Sequence, residues 1–335
     1  GDHGGGRVKT VDRADTVDGA DRADGADGAA SKAPRRLDGR TLGILLGALG
    51  VLCFSFTLPA TKFAVREFHP VLVAAGRTVL AFPLAAGFLL RGGGARPPAR
   101  ALKKIGFLVF GNVVGFPLFT AFALVYGSSA NAAVILGLMP LATAVMASFR
   151  GDERPTRAFW ACAVGGALAV VGFSLARNGL QPPAPGDVFT ALAVVTGSLG
   201  YAEGAALTRE HGAIRAISWG IVFGMPLALT TCVVTWIVTH QSLDGVTLPG
   251  AAGFLYVALV SSFLAFIPWN TGLARGGTAR VSQVQLLQPL LTLAWAALLL
   301  GEHVSAWALA VSLLVLLFVL GAARTKTPRD RPPTP

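Results

Sequence analysis

The sequence predicts an all-α integral membrane protein of ten transmembrane helices, arranged as two inverted five-helix repeats, and three observations predict it. The 335-residue chain is 53% hydrophobic and 13% charged, with a mean hydropathy of +0.62. That usage is far from a soluble domain and makes the lipid bilayer the expected solvent. Its apolar runs approach the ~20 residues needed to cross hydrocarbon. Unbroken runs of that length choose helices over a barrel, because a spanning segment must satisfy its backbone polar groups internally. Finally, the chain repeats itself. Pro140 and Glu153 stand thirteen residues apart, and Pro289 and Glu302 recur 149 positions later with the same spacing. That offset also pairs Gly127 with Gly276, Leu138 with Leu287, Thr143 with Thr292 and Gly172 with Gly321. Upstream, an offset of 143 superimposes Arg66-Glu67 on Arg209-Glu210 and Pro83-Leu84-Ala85 on Pro226-Leu227-Ala228. A duplicated membrane unit places its working site between the copies.

Residues 1–40 are expected to form a disordered cytoplasmic tail, since positions 1–36 are mostly Gly, Ala, Asp and Arg and bury too little apolar surface to order themselves. The first repeat, 41–177, holds predicted spans at Leu42–Phe63, Val71–Leu90, Ile105–Tyr126, Ala130–Phe149 and Ala158–Ala176. A Pro-rich linker, 178–186, follows. The second repeat, 187–324, holds spans at Val188–Leu207, Ile214–Val238, Ala251–Leu273, Val281–Leu300 and Val304–Ala323, and 325–335 is a second tail. Lys and Arg concentrate in alternate loops, from Lys32, Arg35, Arg36 and Arg40 through Arg91 to Lys104 and Arg150 to Arg157, then at Arg209, Arg215, Arg275, Arg280 and Arg324 onward. The opposite side carries only Lys62, Arg66 and Arg177. The positive-inside bias therefore predicts a multi-pass protein of the cell inner (cytoplasmic) membrane with both termini cytoplasmic. Five spans per copy is odd, so the copies enter the membrane in opposite senses. That is the frame in which one half rocks against the other.

Several function classes lose support. The net charge of +11 follows the loop bias rather than a concentrated basic face, so no nucleic-acid partner is expected. Asp12 to Asp27 recur every third residue, which is neither a helix face nor a calcium-loop spacing. Gly92-Gly93-Gly94 lacks the Gly-Lys-Ser/Thr of a phosphate loop. Cys53, Cys162 and Cys232 lie in apolar spans without paired spacing, and the five histidines sit in the tail or near span ends. No metal, cofactor or catalytic cluster is expected. No secretory signal is expected either, the first apolar core beginning near residue 41.

The informative residues are polar groups placed where they are costly. Beyond the tail, Glu203 and Arg77 are the acidic and basic side chains deep in a span, and a charge near the bilayer centre costs about 2.5–3.5 kcal/mol on insertion scales. They read either as a structural ion pair between copies or as site groups, with protons a candidate coupling partner through Glu203. Gln283, Gln285 and Gln288 cluster before Pro289, and Asn112, Trp269 and Asn270 lie in other spans; each can hydrogen-bond a substrate or glue helices together. Phe116, Phe119, Phe122 and Tyr126 follow helical spacing, as a cavity wall or as packing. Pro59, Pro83, Pro117, Pro140, Pro226, Pro268 and Pro289 are expected to interrupt helices, with Pro59, Pro140 and Pro289 the leading hinge candidates. Gly200 and Gly204 let another helix approach closely. Asp152, Glu153 and Glu302 precede spans and are expected to cap helix N-termini.

The doubled run Pro140…Gly151-Asp152-Glu153 and Pro289…Gly301-Glu302, with Ala60-Thr61-Lys62-Phe63-Ala64, Pro70 and Arg77 ahead of it, resembles the EamA domain of the drug/metabolite transporter superfamily over about Thr41 to Arg324. The resemblance implies ten helices around a central cavity and alternating-access transport of a small molecule such as an amino acid, metabolite or drug, with export the implied direction. Cys53-Phe54 stands where the family often has Trp-Gly. Tyr201-Ala202-Glu203-Gly204 resembles its aromatic-Ala-x-Gly, with Glu203 at the freely varying position. A channel or facilitator and, more remotely, a membrane enzyme are the competing classes.

Overall fold

The computed structural model describes residues 39–92, 94, 96–149, 156–177, 182–276, 281 and 284–325. Among these residues the chain is helical throughout. Nine helices are long and apolar enough to cross a membrane: α1 (Gly39–Glu67), α2 (Pro70–Arg91), α3 (Ala99–Tyr126), α4 (Ser129–Phe149), α5 (Arg157–Arg177), α6 (Pro185–His211), α7 (Ala213–Thr239), α8 (Leu248–Leu273) and α10 (Ala306–Arg324). Between the last two lies a shorter apolar helix, α9 (Gln285–Leu300). Leu45, Ile237, Leu298 and Leu317 project outward from their helices, an apolar exterior suited to lipid.

Local chemistry fixes the ends. Pro70, Pro185 and Pro249 open their helices, where a missing N–H costs nothing. At the α5–α6 junction, Asp187 accepts from Ser174 Oγ and Arg177 Nη2, both at 2.5 Å, so a carboxylate in the first turn of α6 also ties down the end of α5. Gly301 ends α9 in the left-handed region, φ 64°, which glycine adopts without a Cβ penalty. The turn between α3 and α4 is clasped from two sides. Lys62 of α1 donates through Nζ to the carbonyls of Leu124 (2.5 Å) and Gly127 (2.7 Å), and Glu302 accepts from the backbone N–H groups of Ser129 (3.0 Å) and Ala130 (2.8 Å). Glu302 thus caps α4 rather than the helix that follows it, contrary to the sequence expectation. Ser305 Oγ takes the cap of α10 by accepting from Ala308 N–H (3.1 Å). Asp152 and Glu153 lie outside the described residues.

Five helices are interrupted, and each interruption has an identifiable cause. Pro59 has no N–H to give the Ser55 carbonyl four residues back, and α1 breaks at Phe56 between Gly39–Ser55 and Thr57–Glu67. α4 breaks at Gly137-Leu138 ahead of Pro140, and α9 opens with a 3₁₀ turn at Gln285–Leu287 ahead of Pro289. α3 and α8 each contain a π-helical stretch, Val109–Gly115 and Tyr256–Leu264, ahead of Pro117 and Pro268.

Helices from residues 39–177 pack on helices from 185–324 in a regular scheme: α1 on α8, α2 on α7, α3 on α6, α4 on α9 and α5 on α10. The crossings depend on missing side chains. A Cβ on Gly111 would stand 2.5 Å from Gly200 N and Thr196 O, and one on Gly253 would stand 2.5 Å from Ala60 O. Gly200 accepts α3 against α6 in the same way, so the Gly200/Gly204 pair does admit a close helix. α4, α5, α9 and α10 share the largest apolar cluster, around Val134, Phe159, Phe173 and Val315. A second cluster centred on Ile105, Leu207 and Trp219 joins α2, α3, α6 and α7.

Candidate functional site

The interruptions gather around one cavity of about 380 Å³. Its wall takes Phe54 and Thr57 from the break in α1, Asn112 and Val113 from the π segment of α3, and Gly137 and Pro140 from the break in α4. From the other half come Ser261 and Ser262 of the π segment of α8 and Gln285, Gln288, Pro289 and Thr292 of α9. Irregular backbone at membrane depth persists where it is buried in protein or lines a cavity, and both conditions hold here.

The carbonyl freed at the break in α1 is met by a side chain from the other half, and further hydrogen bonds cross between the halves beside it. Thr292 Oγ1 donates to Ser55 O at 2.8 Å, the carbonyl that Pro59 leaves without a partner, and Trp295 Nε1 donates to Ser55 Oγ at 2.9 Å. Thr57 and Ser261 share a buried hydroxyl–hydroxyl bond of 2.8 Å, and Tyr256 OH donates to Cys53 O at 3.0 Å. Deeper in the wall, Ser262 Oγ donates to Val257 O (2.7 Å) and so turns a lone pair to Arg77, whose Nε donates to it at 2.7 Å. Tyr201 lines the cavity as well, and an aromatic side is formed by Phe54, Phe116, Phe266 and Trp269. Phe54 and Phe266 meet edge to face, with ring centroids 4.8 Å apart.

This arrangement suits selective binding of a small organic molecule: a mostly apolar concavity with few, fixed polar groups. Models of the EamA-like transporter family match residues 41–175 and 184–324, almost the whole described helical region. The chain belongs to the EamA-like transporter family. Among relatives of this EamA-like chain, the "uncharacterized transporter YdeK" of Bacillus subtilis is 42% identical over 86% of this chain and 99% of its own length. Protein PecM of Dickeya dadantii is 29% identical over 75% of this chain and 85% of its own. A "probable amino-acid metabolite efflux pump" of Salmonella typhimurium is 26% identical over 81% and 91%. A crystal structure with 22% identity matches 85% of this chain and 98% of its own with a TM-score of 0.57, a likeness of fold.

Of the candidates read from the sequence, Arg77, Tyr201, Asn112, Phe116, Trp269, Gln285, Gln288, Pro140 and Pro289 line the cavity of this EamA-like transporter. Four others do not. Glu203 is buried, at 1% exposure, in α6 and is not among the lining residues, and of the two readings left open for Arg77 the described contact is a hydrogen bond from its Nε to Ser262 Oγ. Phe119 stacks on Phe189 with centroids 6.4 Å apart, Asn270 Nδ2 donates to Phe266 O of its own helix at 2.7 Å, and Pro59 is buried at the break of α1. Gln283 lies outside the described residues. Sequence reasoning passed over Thr57, Ser261, Ser262 and Thr292. Their signal was present: hydroxyl side chains in apolar spans, within two turns of a proline whose ring has freed a carbonyl.

Proposed function

We propose that this transporter is a secondary carrier that moves a small organic molecule through the central cavity by alternating access, in the direction of export. The observation that carries the reading is the convergence of helix breaks from both halves on one cavity. Loosened backbone there lets each half reorient around a bound molecule. The five cross-half pairings, α1 with α8 through α5 with α10, support ten spans in two inverted five-helix repeats, 41–177 and 187–324. The Lys/Arg distribution supports placement in the cytoplasmic membrane with both termini cytoplasmic. The relative named as an amino-acid metabolite efflux pump supports export of a metabolite-sized cargo.

The test uses the purified full chain in liposomes and a Thr143→Trp variant. Thr143 lines the cavity and its Oγ1 donates only within its own helix, to Met139 O at 2.7 Å, so an indole there fills space without breaking a bond between helices. Substrate-saturable counterflow of labelled metabolites, abolished in Thr143→Trp at unchanged melting temperature, is the expected result. Ohmic current would replace the carrier with a channel, and chemical conversion of the solute would replace it with an enzyme.

A further inference from the structure

Arg77 is the one formally charged residue among the described residues that line the cavity, and no Asp or Glu accompanies it there. Its guanidinium is held at one corner. Nε is committed to Ser262 Oγ at 2.7 Å, and the Ser262 proton is committed to Val257 O at 2.7 Å. Ser262 is therefore an anchor, with no proton left for a ligand. The terminal amino groups of Arg77 keep four donors in a fixed fork, the geometry that meets a carboxylate through two parallel bonds. Phe54, Phe116, Phe266 and Trp269 supply an aromatic surface in the same cavity.

Resting on the reading of this cavity as the transport site, we propose that the cargo is a monoanionic carboxylate on an apolar, ring-bearing body, seated with its carboxylate on Arg77. A cationic molecule would bring a second positive charge into a low-dielectric space that holds no described counter-charge. An α-amino acid would leave its ammonium facing neutral amides and hydroxyls. A phosphate dianion would bring one charge more than Arg77 neutralises.

The experiment is calorimetric titration of the purified full chain in detergent with one side-chain body and varied head groups: 3-phenylpropionate, 3-phenylpropionamide, 3-phenylpropylamine, phenylalanine and phenyl phosphate. Expected is binding of 3-phenylpropionate at least about tenfold tighter than each of the others. In Arg77→Gln the acid's advantage over the amide should fall to within about twofold, with an unchanged melting temperature reporting an intact fold. Ser262→Ala keeps the charge but frees the guanidinium, and should lower the acid's advantage to an intermediate value. Should Arg77→Gln fail to fold, the wild-type series and Ser262→Ala still decide the matter. Equal or tighter binding of the amine, amino acid or phosphate overturns the proposal, as does no binding by any probe or an acid preference that survives Arg77→Gln. The transport reading fails separately: counterflow that persists in Thr143→Trp would remove the cavity from the transport path while leaving the acid preference measurable.

Discussion

The bond from Thr292 to Ser55 O exists because Pro59 has no N–H, and this makes its contribution predictable. Thr292→Val keeps the branched shape and removes the hydroxyl, leaving a fully buried carbonyl without that donor. A buried acceptor stripped of its partner costs about 1–3 kcal/mol in soluble proteins. Interhelical bonds in membrane proteins average about 0.6 kcal/mol, with a maximum near 1.7. Thr292 Oγ1 also lies 3.0 Å from Gln288 O, so part of its proton is already spent within α9. The expected cost of Thr292→Val is therefore about 1 kcal/mol. In a Pro59→Ala background the new N–H at position 59 faces Ser55 O across one helical turn, and the same substitution should cost only a few tenths. The predicted coupling is about 0.7 kcal/mol, read from a double-mutant cycle of reversible unfolding in mixed micelles. Costs that simply add would refute the assignment of Thr292 as the donor replacing the Pro59 N–H.

Two further substitutions test the frame. Gly111→Ala should destabilise by about 1–3 kcal/mol or more, because its Cβ meets backbone atoms of α6 that move only with the whole helix, whereas Gly87→Ala, with nothing within 4 Å, should stay within about 0.5; thermal melts in detergent compare them. Lys62→Met should cost about 1–3 kcal/mol by uncovering the carbonyls of Leu124 and Gly127, and Glu302→Ala should cost more than Glu302→Gln, whose amide oxygen still accepts one N–H of α4; the same melts check both orderings.

Much of this was legible without coordinates, and the reasons are physical. Apolar runs near the bilayer's width identify helices because no other open backbone survives there. Each break at the cavity lies beside or just ahead of a proline, since a missing N–H acts on its own helix at a fixed distance, whereas Pro83 and Pro226 sit inside the unbroken α2 and α7. What escaped was decided by partners far away in sequence. Glu302 reads as a cap for the helix it precedes, yet its carboxylate reaches back 172 positions to Ala130 N–H. Whether Arg77 and Glu203 pair stays open in the sequence, because periodicity does not say which face of a helix meets which neighbour. Phe116 and Phe119 are one turn apart, and only one of them reaches the cavity.

Arg77 and Glu203 differ in what their repeat counterparts do. At the 143-residue offset Arg77 corresponds to Gly220, and Gly220 lines the same cavity without a side chain. Among the described lining residues the cavity therefore carries formal charge from one half and none from the other. Glu203 corresponds to Ala60, a position that is 0% exposed and tight against α8, where a Cβ on Gly253 would meet the Ala60 carbonyl at 2.5 Å. Both members of that second pair are buried, and neither is among the residues that line the cavity. Substitution at Glu203 is then expected to act on how α6 seats in the bundle, and substitution at Arg77 on what the cavity accepts.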